Sequence, residues 1–452
     1  MVQLLTLLGL VSASFVGGYY VKEKFTHTIS PSAALAVNEV KEKQRVWSGK
    51  EVLFQDKIKG ALFGAALGDA LGRVTEFIDT TEEIQRKYGQ KGVTSFNDFK
   101  KNDWITHPLT HERIAAYTDD TVMSIIVFEE SLKALHAQEL TDVLNARFKG
   151  LCKENTRNAK VFMSALTERF KGLFGEHALT IDPLYHIRAH GIQNRKACLD
   201  FSRLLELNDI PTYDKKMDLA VAAEGGCGSV MRAWPLGIVF NKNSTRAALY
   251  ADYQSRITHR NPMARAASAA IAVGIAALLQ GDAPEEAVEK MIMAARKFDG
   301  AEKLYKPYAY QVLQQQSVRE DRLLTSDMIA YAALQAQKGT TPSVVLGTHN
   351  RKKGFRSSEG FLLGWAADEA VAAAVYVFLR HPHDLTMALQ ESVNTPGDSD
   401  SIATLAAVLV GAHAGFKEFE QTGFDYSFLE NREMLKGLAD SVKPAVHFKR
   451  NK

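Results

Sequence analysis

Residues 60–72 read GALFGAALGDALG and place glycine at positions 60, 64, 68 and 72. In a helix, this four-residue spacing aligns the glycines along one face. Each interior glycine costs about 1 kcal/mol relative to alanine, so the face requires a compensating gain. We expect the close approach of another helix, or of a ligand, to this bare backbone. Lys57, Lys59 and Asp69 argue against a transmembrane small-residue motif.

Helical periodicity continues through most of the chain after residue 51. Apolar residues recur at three- and four-residue spacing, whereas the two-residue alternation of strands is nearly absent. Residues 264–279 (ARAASAAIAVGIAALL) are apolar on almost all sides, which predicts a buried helix. We predict one large all-α domain over residues 51–452, with an insertion or surface segment near 299–358. The helical segments are 121–135, 218–224, 264–280, 285–298, 361–380 and 401–416.

The composition is that of a soluble globular protein. Of 452 residues, 46% are apolar and 24% are charged, and the formal net charge is +3. This small charge, without a basic stripe interleaved with aromatic residues, argues against nucleic-acid binding. The three cysteines, Cys152, Cys198 and Cys227, show no CxxC spacing. They therefore disfavour a zinc site and a disulfide framework, and they suit a reducing compartment.

Residues 1–21 form a hydrophobic N-terminal segment. Residues 2–21 carry no charge and are followed by Lys22 and Lys24, and this length is sufficient to cross a bilayer. A membrane anchor, a secretory signal peptide and a buried or interfacial helix all fit the segment. The protein is thus expected to be membrane-associated with its domain in a reducing compartment, or secreted. Residues 22–50 have the composition of a linker.

Two acidic segments, far apart in the chain, each precede a long apolar helical stretch. They read YTDDT at 117–121 and GDSDS at 397–401. Thr118 or Asp119 is a good N-cap for the helix that follows. In an extended segment, Asp398 and Asp400 would point to the same side. Capping alone can explain either segment, but together they supply the oxygen ligands that hard divalent cations prefer. If the segments converge, we predict a metal centre.

A glycine-rich segment, EGGCGSVMR at 224–232, leads into an apolar stretch. Backbone N–H groups at such a turn can bind an anion, although no nucleotide-binding fingerprint is present. A phosphate cradle and a plain turn both remain open. The segment THRNP at 258–262 places His259 ahead of a helix, where a structural role is the expectation.

Together these segments resemble the ADP-ribosylglycohydrolase family and occur in the family's order. The resemblance implies a compact, orthogonal multi-helix all-α fold with a binuclear Mg²⁺ or Mn²⁺ site. The matching pieces are GALFGAALGDALG with Glu76, YTDDT, GCGSVMRAWPLG, THRNP, GWAADEA at 364–370, and GDSDSIATLAAVLVGAHAG. The implied metal ligands are Thr118, Asp119, Asp120, Asp398, Asp400 and Ser401, the last standing where many members have threonine.

The resemblance also implies hydrolysis of the bond between ADP-ribose and a protein side chain. The motif combination looks nearer to the arginine-directed bacterial branch, similar to dinitrogenase-reductase-activating glycohydrolase. Serine-linked ADP-ribose, poly-ADP-ribose and O-acetyl-ADP-ribose remain open, as do a non-catalytic ADP-ribose-binding relative and a two-metal phosphoesterase. A monomer acting on an ADP-ribosylated protein is expected. The implied catalytic residues are Asp119, Asp120 and Glu76, and the implied substrate-binding residues are Glu76, Gly226, Cys227, Gly228, Ser229, Met231 and His259.

Overall fold

The protein is almost entirely helical, as the periodicity predicted, and the all-α fold class is confirmed. A short antiparallel pair, β1 (Ile105–Thr106) and β2 (Arg113–Ile114), sets Ile105 opposite Ile114. The computed structural model describes residues 49–148, 156–174, 178–184, 186, 188, 225–299, 324–340 and 362–442. Residues 1–21, nearly all of the proposed linker and the proposed helix 218–224 lie outside the described residues.

Helices account for most of the described chain and surround one apolar core. Of the predicted helices, those at 121–135, 264–280, 285–298, 361–380 and 401–416 form within the described residues. The first extends to Phe148, and the helix predicted at 361–380 begins only at Ala367. In chain order they are α1 Gly49–Gly72, α2 Thr81–Tyr88, α3 Asp119–Phe148, α4 Thr156–Phe174, α5 Ala178–Ile181, α6 Trp234–Val239, α7 Ser244–Thr258, α8 Pro262–Gln280, α9 Pro284–Phe298, α10 Thr325–Lys338, α11 Ala367–Arg380, α12 Leu385–Ser392, α13 Ser399–Ala414, α14 Lys417–Gln421 and α15 Arg432–Ser441.

Helix α8 is the buried helix predicted at 264–280. It begins at Pro262, where the Asn261 side chain accepts a hydrogen bond from the Met263 N–H, and it ends at Gly281 in the left-handed conformation. By length and composition, α8 is the one helix among the described residues that could span a bilayer. Most of its surface is buried by its neighbours, so it is a core helix of the domain.

The glycine face of α1 packs directly against the backbone of α13. A Cβ atom at Gly60, Gly64 or Gly68 would overlap backbone atoms of α13. At Gly72 it would overlap the backbone of Asp400. The partner of the glycine face is thus a second helix. Because this contact extends to Asp400, it also sets the position of the second acidic segment.

The segment 299–358, expected as an insertion or surface segment, contains helix α10. Met328 and Ile329 of this helix are fully buried. The Asp299 carboxylate accepts hydrogen bonds from the N–H groups of Thr325 and Ser326 at its start. This part of the segment therefore belongs to the core. Residues 300–323 and 341–361 lie outside the described residues.

Candidate metal centre

The two acidic segments meet at the N-termini of α3 and α13. The Ser401 hydroxyl donates to Asp120 Oδ2 over 2.9 Å. Carboxylate oxygens of Glu76, Asp398 and Asp400 all lie within 4.8 Å of one another. The structure thus brings together YTDDT, GDSDS and Glu76, which are distant in sequence.

Asp69 of the glycine helix holds the first acidic segment in place. Its Oδ1 accepts from the Thr118 N–H at 2.8 Å. Its Oδ2 accepts from the Thr121 N–H at 2.9 Å and from the Thr121 hydroxyl at 2.6 Å. Thr118 in turn caps α3, because its hydroxyl accepts from the Asp120 N–H at 3.3 Å. Sequence reasoning did not select Asp69, although it is the one charged residue in the stretch 60–72.

Arg188 fixes the same segment from another direction. Its guanidinium donates to the Tyr117 carbonyl at 2.7 Å and forms ion pairs with Asp182 at 2.8 Å and Glu430 at 2.7 Å. Its own carbonyl accepts from the Asp119 N–H at 2.9 Å. Burial acts to lower the pKa of Arg188, but the hydrogen bonds with Glu430 and Asp182 raise it above its usual value. Arg188 belongs to no motif, so the sequence held no signal for it.

The second acidic segment is not extended, which corrects the expectation that Asp398 and Asp400 share one side of a strand-like stretch. Asp398 is the residue before α13, and Asp400 lies in the first helical turn. The Asp398 N–H donates to the Leu363 carbonyl at 2.8 Å, and the adjacent Gly397 exchanges backbone hydrogen bonds with Phe77 and Ile78. The two carboxylates therefore approach each other through the turn that begins a helix.

The glycine-rich segment borders the acidic cluster. The Cys227 thiol donates to Asp398 Oδ2 at 2.8 Å. Met231 Sδ lies 4.0 Å from the Ser401 hydroxyl. The Cys227 N–H is donated to the Trp365 carbonyl at 3.1 Å, so this N–H is already used within the protein. Both the N–H and the thiol of Cys227 therefore bond within the protein.

Buried polar side chains support the glycine-rich segment from the core side. Arg232 donates to the Gly228 carbonyl at 2.7 Å, and Gln254 donates to the Ser229 carbonyl at 2.8 Å. The Arg232 guanidinium also donates to Gln254 Oε1 at 2.8 Å. The Ser229 and Ser255 hydroxyls are 2.9 Å apart. These bonds hold the segment 226–231 rigidly beside the acidic cluster.

His259 is buried beneath the glycine-rich segment, close to Gly226. Thr258 Oγ1 accepts from Arg232 at 2.6 Å and lies 2.8 Å from His259 Nδ1. The Thr258 hydroxyl can donate to a bare Nδ1 or accept from Nδ1–H, so this contact is compatible with either neutral tautomer of the ring. Burial, followed by the charge of Arg232, lowers the pKa of His259 to about 3, so the ring is neutral.

The cluster concentrates carboxyl groups in a buried place. Burial, followed by repulsion from neighbouring carboxylates, raises the pKa of Glu76 to about 12 and of Asp69 to about 7. The same causes raise the pKa values of Asp120 and Asp400 well above the usual range. A divalent cation relieves such repulsion, and carboxylate and hydroxyl oxygens are ligands that Mg²⁺ and Mn²⁺ accept. The donor set therefore fits hard divalent cations.

Comparison with known proteins places this site in context. A sequence model of the ADP-ribosylglycohydrolase family matches residues 50–450. An uncharacterised protein of Archaeoglobus fulgidus is 23% identical over 388 residues, which cover 86% of this chain and 96% of that protein. A solved structure described as an ADP-ribosylglycohydrolase-related protein complex is 19% identical, with a TM-score of 0.48. The match covers 86% of this chain and 98% of the solved one.

Proposed function

This chain belongs to the ADP-ribosylglycohydrolase family, and we propose that it hydrolyses the bond joining ADP-ribose to an arginine side chain of a modified protein. One observation carries the proposal. The Ser401 hydroxyl lies 2.9 Å from Asp120 Oδ2, so two acidic helix N-termini face each other beside Glu76. Oxygen donors from three separate parts of the chain therefore lie close together in a buried region.

The proposed ligands of two divalent cations, Mg²⁺ or Mn²⁺, come from both helix N-termini. Bound there, such cations supply Lewis acidity toward water and the hydroxyl groups of the ribose. Asp69 and Arg188 keep the first group of ligands in place through hydrogen bonds to the backbone. The residues proposed to hold the cations are Thr118, Asp119, Asp120, Asp398, Asp400 and Ser401.

The proposed catalytic and substrate-binding roles follow from the charges on the substrate during cleavage. Cleavage of the glycosidic bond creates positive charge at the anomeric carbon, which preorganised carboxylates stabilise. Glu76, Asp119 and Asp120 are proposed for this role. The segment Gly226–Met231, with the neutral His259 beneath it, is proposed to bind the ADP-ribose diphosphate. Its rigid support by Arg232 and Gln254 suits a binding surface that must not rearrange.

Incubation of the full-length chain with arginine- and serine-ADP-ribosylated proteins, in Mg²⁺ or Mn²⁺, tests this function. We expect ADP-ribose to be released from the arginine adduct. Replacing Asp119 and Asp120 together by alanine should reduce release by about 100-fold or more, since ligand loss typically has at least this effect. Asp440→Ala, at an exposed position in α15, is the matched control and should leave the rate unchanged.

Each alternative function predicts a different result in these assays. Release from the serine adduct alone would make arginine the wrong linkage, and poly-ADP-ribose and O-acetyl-ADP-ribose serve as further substrates. Binding of ADP-ribose in calorimetry, without turnover of any adduct, would indicate a non-catalytic relative. Release of inorganic phosphate from ADP-ribose would indicate a phosphoesterase.

Membrane association through residues 2–21 is a separate proposal. The uncharged segment followed by Lys22 and Lys24 supports it. Carbonate extraction of membranes should retain the full-length chain and release a version that begins at residue 51. Equal release of both would contradict the anchor.

A further inference from the structure

Phe77 is held in a conformation that its side chain disfavours. Its φ angle is 64°, in the left-handed region, which is a genuine outlier for a bulky residue. It is also 65% exposed, the largest value among the large apolar side chains in the described residues. Burial therefore does not explain its place in the fold. Strain of this kind is found preferentially at functional sites.

The surrounding backbone ties Phe77 to the acidic cluster. Its N–H donates to the Gly397 carbonyl at 3.0 Å, and the Gly397 N–H donates to the Ile78 carbonyl at 3.0 Å. Gly397 precedes Asp398, and Glu76 precedes Phe77, so the backbone of Phe77 adjoins two of the three residues whose carboxylates converge. The ring stacks on Trp365, with centroids 5.1 Å apart and planes inclined by 25°.

Trp365 connects this aromatic pair to the glycine-rich segment, since its carbonyl accepts from the Cys227 N–H. Phe77 and Trp365 therefore form one edge of the site. One face of the Phe77 ring rests on Trp365, and the Phe77 side chain is exposed to solvent. A rigid exposed ring next to a reacting centre offers its face to a flat group.

The charges near Phe77 in the sequence indicate whether the planar group that it binds is cationic, neutral or anionic. Residues 74–85 contain four carboxyl groups and no lysine or arginine. Among these groups Asp79 and Glu82 are exposed, whereas Glu83 forms an ion pair with Arg86 over 3.2 Å. Such a surface attracts a cation and repels phosphate. A guanidinium is planar, always charged and stacks on aromatic faces, whereas adenine carries no charge. We propose that Phe77, backed by Trp365, binds the guanidinium of the modified arginine; this inference rests on the proposed function.

Steady-state kinetics on full-length Phe77→Ala and Phe77→Tyr, with arginine- and serine-ADP-ribosylated proteins, test the inference. Phe77→Ala should raise KM for the arginine substrate about tenfold, in line with a desolvated cation–π contact. Phe77→Tyr keeps the ring face and should stay close to wild type. Met293→Ala, which removes another exposed apolar side chain on α9, is the control for surface truncation. Thermal unfolding of each variant confirms that it is folded.

Calorimetry with free ADP-ribose identifies the group that the ring contacts. We expect the Kd of ADP-ribose to be the same for wild type and Phe77→Ala. An equal loss in that Kd and in KM would assign the ring to ADP-ribose itself and overturn the inference. An unchanged KM for the arginine substrate would also overturn it, while leaving the proposed function intact. A wild-type protein that releases nothing from arginine adducts would refute the proposed linkage and this inference together.

Discussion

The Ser401 hydroxyl donates to Asp120 Oδ2, although 281 positions separate the two residues. This bond joins the first turn of α13 to the first turn of α3, and both turns carry the acidic residues of the site. Because the glycine face of α1 packs on α13 and Asp69 of α1 binds the start of α3, one helix positions both halves.

Ser401→Ala removes the hydroxyl that links the two segments. We expect the affinity for Mn²⁺ to fall about 10- to 100-fold, as is typical when a ligand's support is lost. Ser401→Thr keeps the hydroxyl and should bind Mn²⁺ nearly as wild type does. Titration calorimetry measures both variants, and wild-type affinity in Ser401→Ala would remove Ser401 from the site.

Removal of metal should make stability depend on pH. Burial raises the pKa of Asp398 from its usual value of 3.8 to about 6, against the opposing effect of hydrogen bonds with Asp400, Cys227 and Ser401. Burial, followed by repulsion from Asp400, raises the pKa of Asp69 from 3.8 to about 7. The folded metal-free protein therefore binds more protons than the unfolded chain, so stability is lost as the pH rises through these values. With chelator, we expect Tm to fall between about pH 4 and 7.

Added Mg²⁺ should reverse this loss. Cations bind the deprotonated carboxylates, so the gain in Tm should be large at pH 7.5 and small at pH 5. Thermal unfolding at both pH values, with chelator or with Mg²⁺, makes the comparison. A Tm at pH 7.5 that does not respond to Mg²⁺ or Mn²⁺ would count against a metal centre.

Asp69→Asn tests whether Asp69 positions the metal ligands. An amide has one acceptor oxygen where the carboxylate has two. If that oxygen stays on the Thr118 N–H, the N–H and hydroxyl of Thr121 lose their acceptor, at a cost of about 1–3 kcal/mol in unfolding free energy. Asp98→Asn is the control for the change from carboxylate to amide, because two N–H groups and a hydroxyl all donate to Asp98 Oδ2 and the amide keeps one oxygen for them. Asp69→Asn should be the more destabilised of the two, and only Asp69→Asn should weaken Mn²⁺ binding. Equal Mn²⁺ affinity in the two would limit Asp69 to a structural role.

Gly64→Ala tests the backbone contact between α1 and α13. Its Cβ would overlap the Ala407 carbonyl, and overpacking of this kind costs about 1–3 kcal/mol. Gly437→Ala provides the contrast, because nothing lies within 4 Å of its Cβ position in α15. That variant should be more stable by up to about 1 kcal/mol. Denaturant unfolding measures both changes, and a neutral Gly64→Ala would show that the helices can move apart.

Phe77→Gly and Phe77→Ala separate backbone strain from side-chain function. Glycine adopts a φ of 64° freely, whereas alanine pays about 1 kcal/mol there. We therefore expect Phe77→Gly to be the more stable of the two and both to be impaired toward the arginine substrate. If denaturant unfolding finds Phe77→Gly less stable than Phe77→Ala, the backbone at this position is not strained.

Local signals located most of the helices correctly. Helix α8, predicted at 264–280, spans Pro262–Gln280 between the caps Asn261 and Gly281, because capping depends on residues next to each other in the chain. The segment 361–380 forms a helix only from Ala367. Gly364, with a φ of 80°, leaves the preceding residues in a loop. The extended geometry assumed for Asp398 and Asp400 was wrong, since periodicity does not define the first helical turn.

By itself the sequence determined a helical chain, a glycine face that needs a close partner, and two helix starts rich in oxygen ligands. These properties depend on neighbouring residues and on chemical type. Only the tertiary structure decided that α13 fills the glycine face, that Asp69 and Arg188 hold Thr118 and Asp119, and that Phe77 stands strained and exposed beside Glu76. Those contacts join residues far apart in the chain, and their energies depend on packing and burial that no local pattern records.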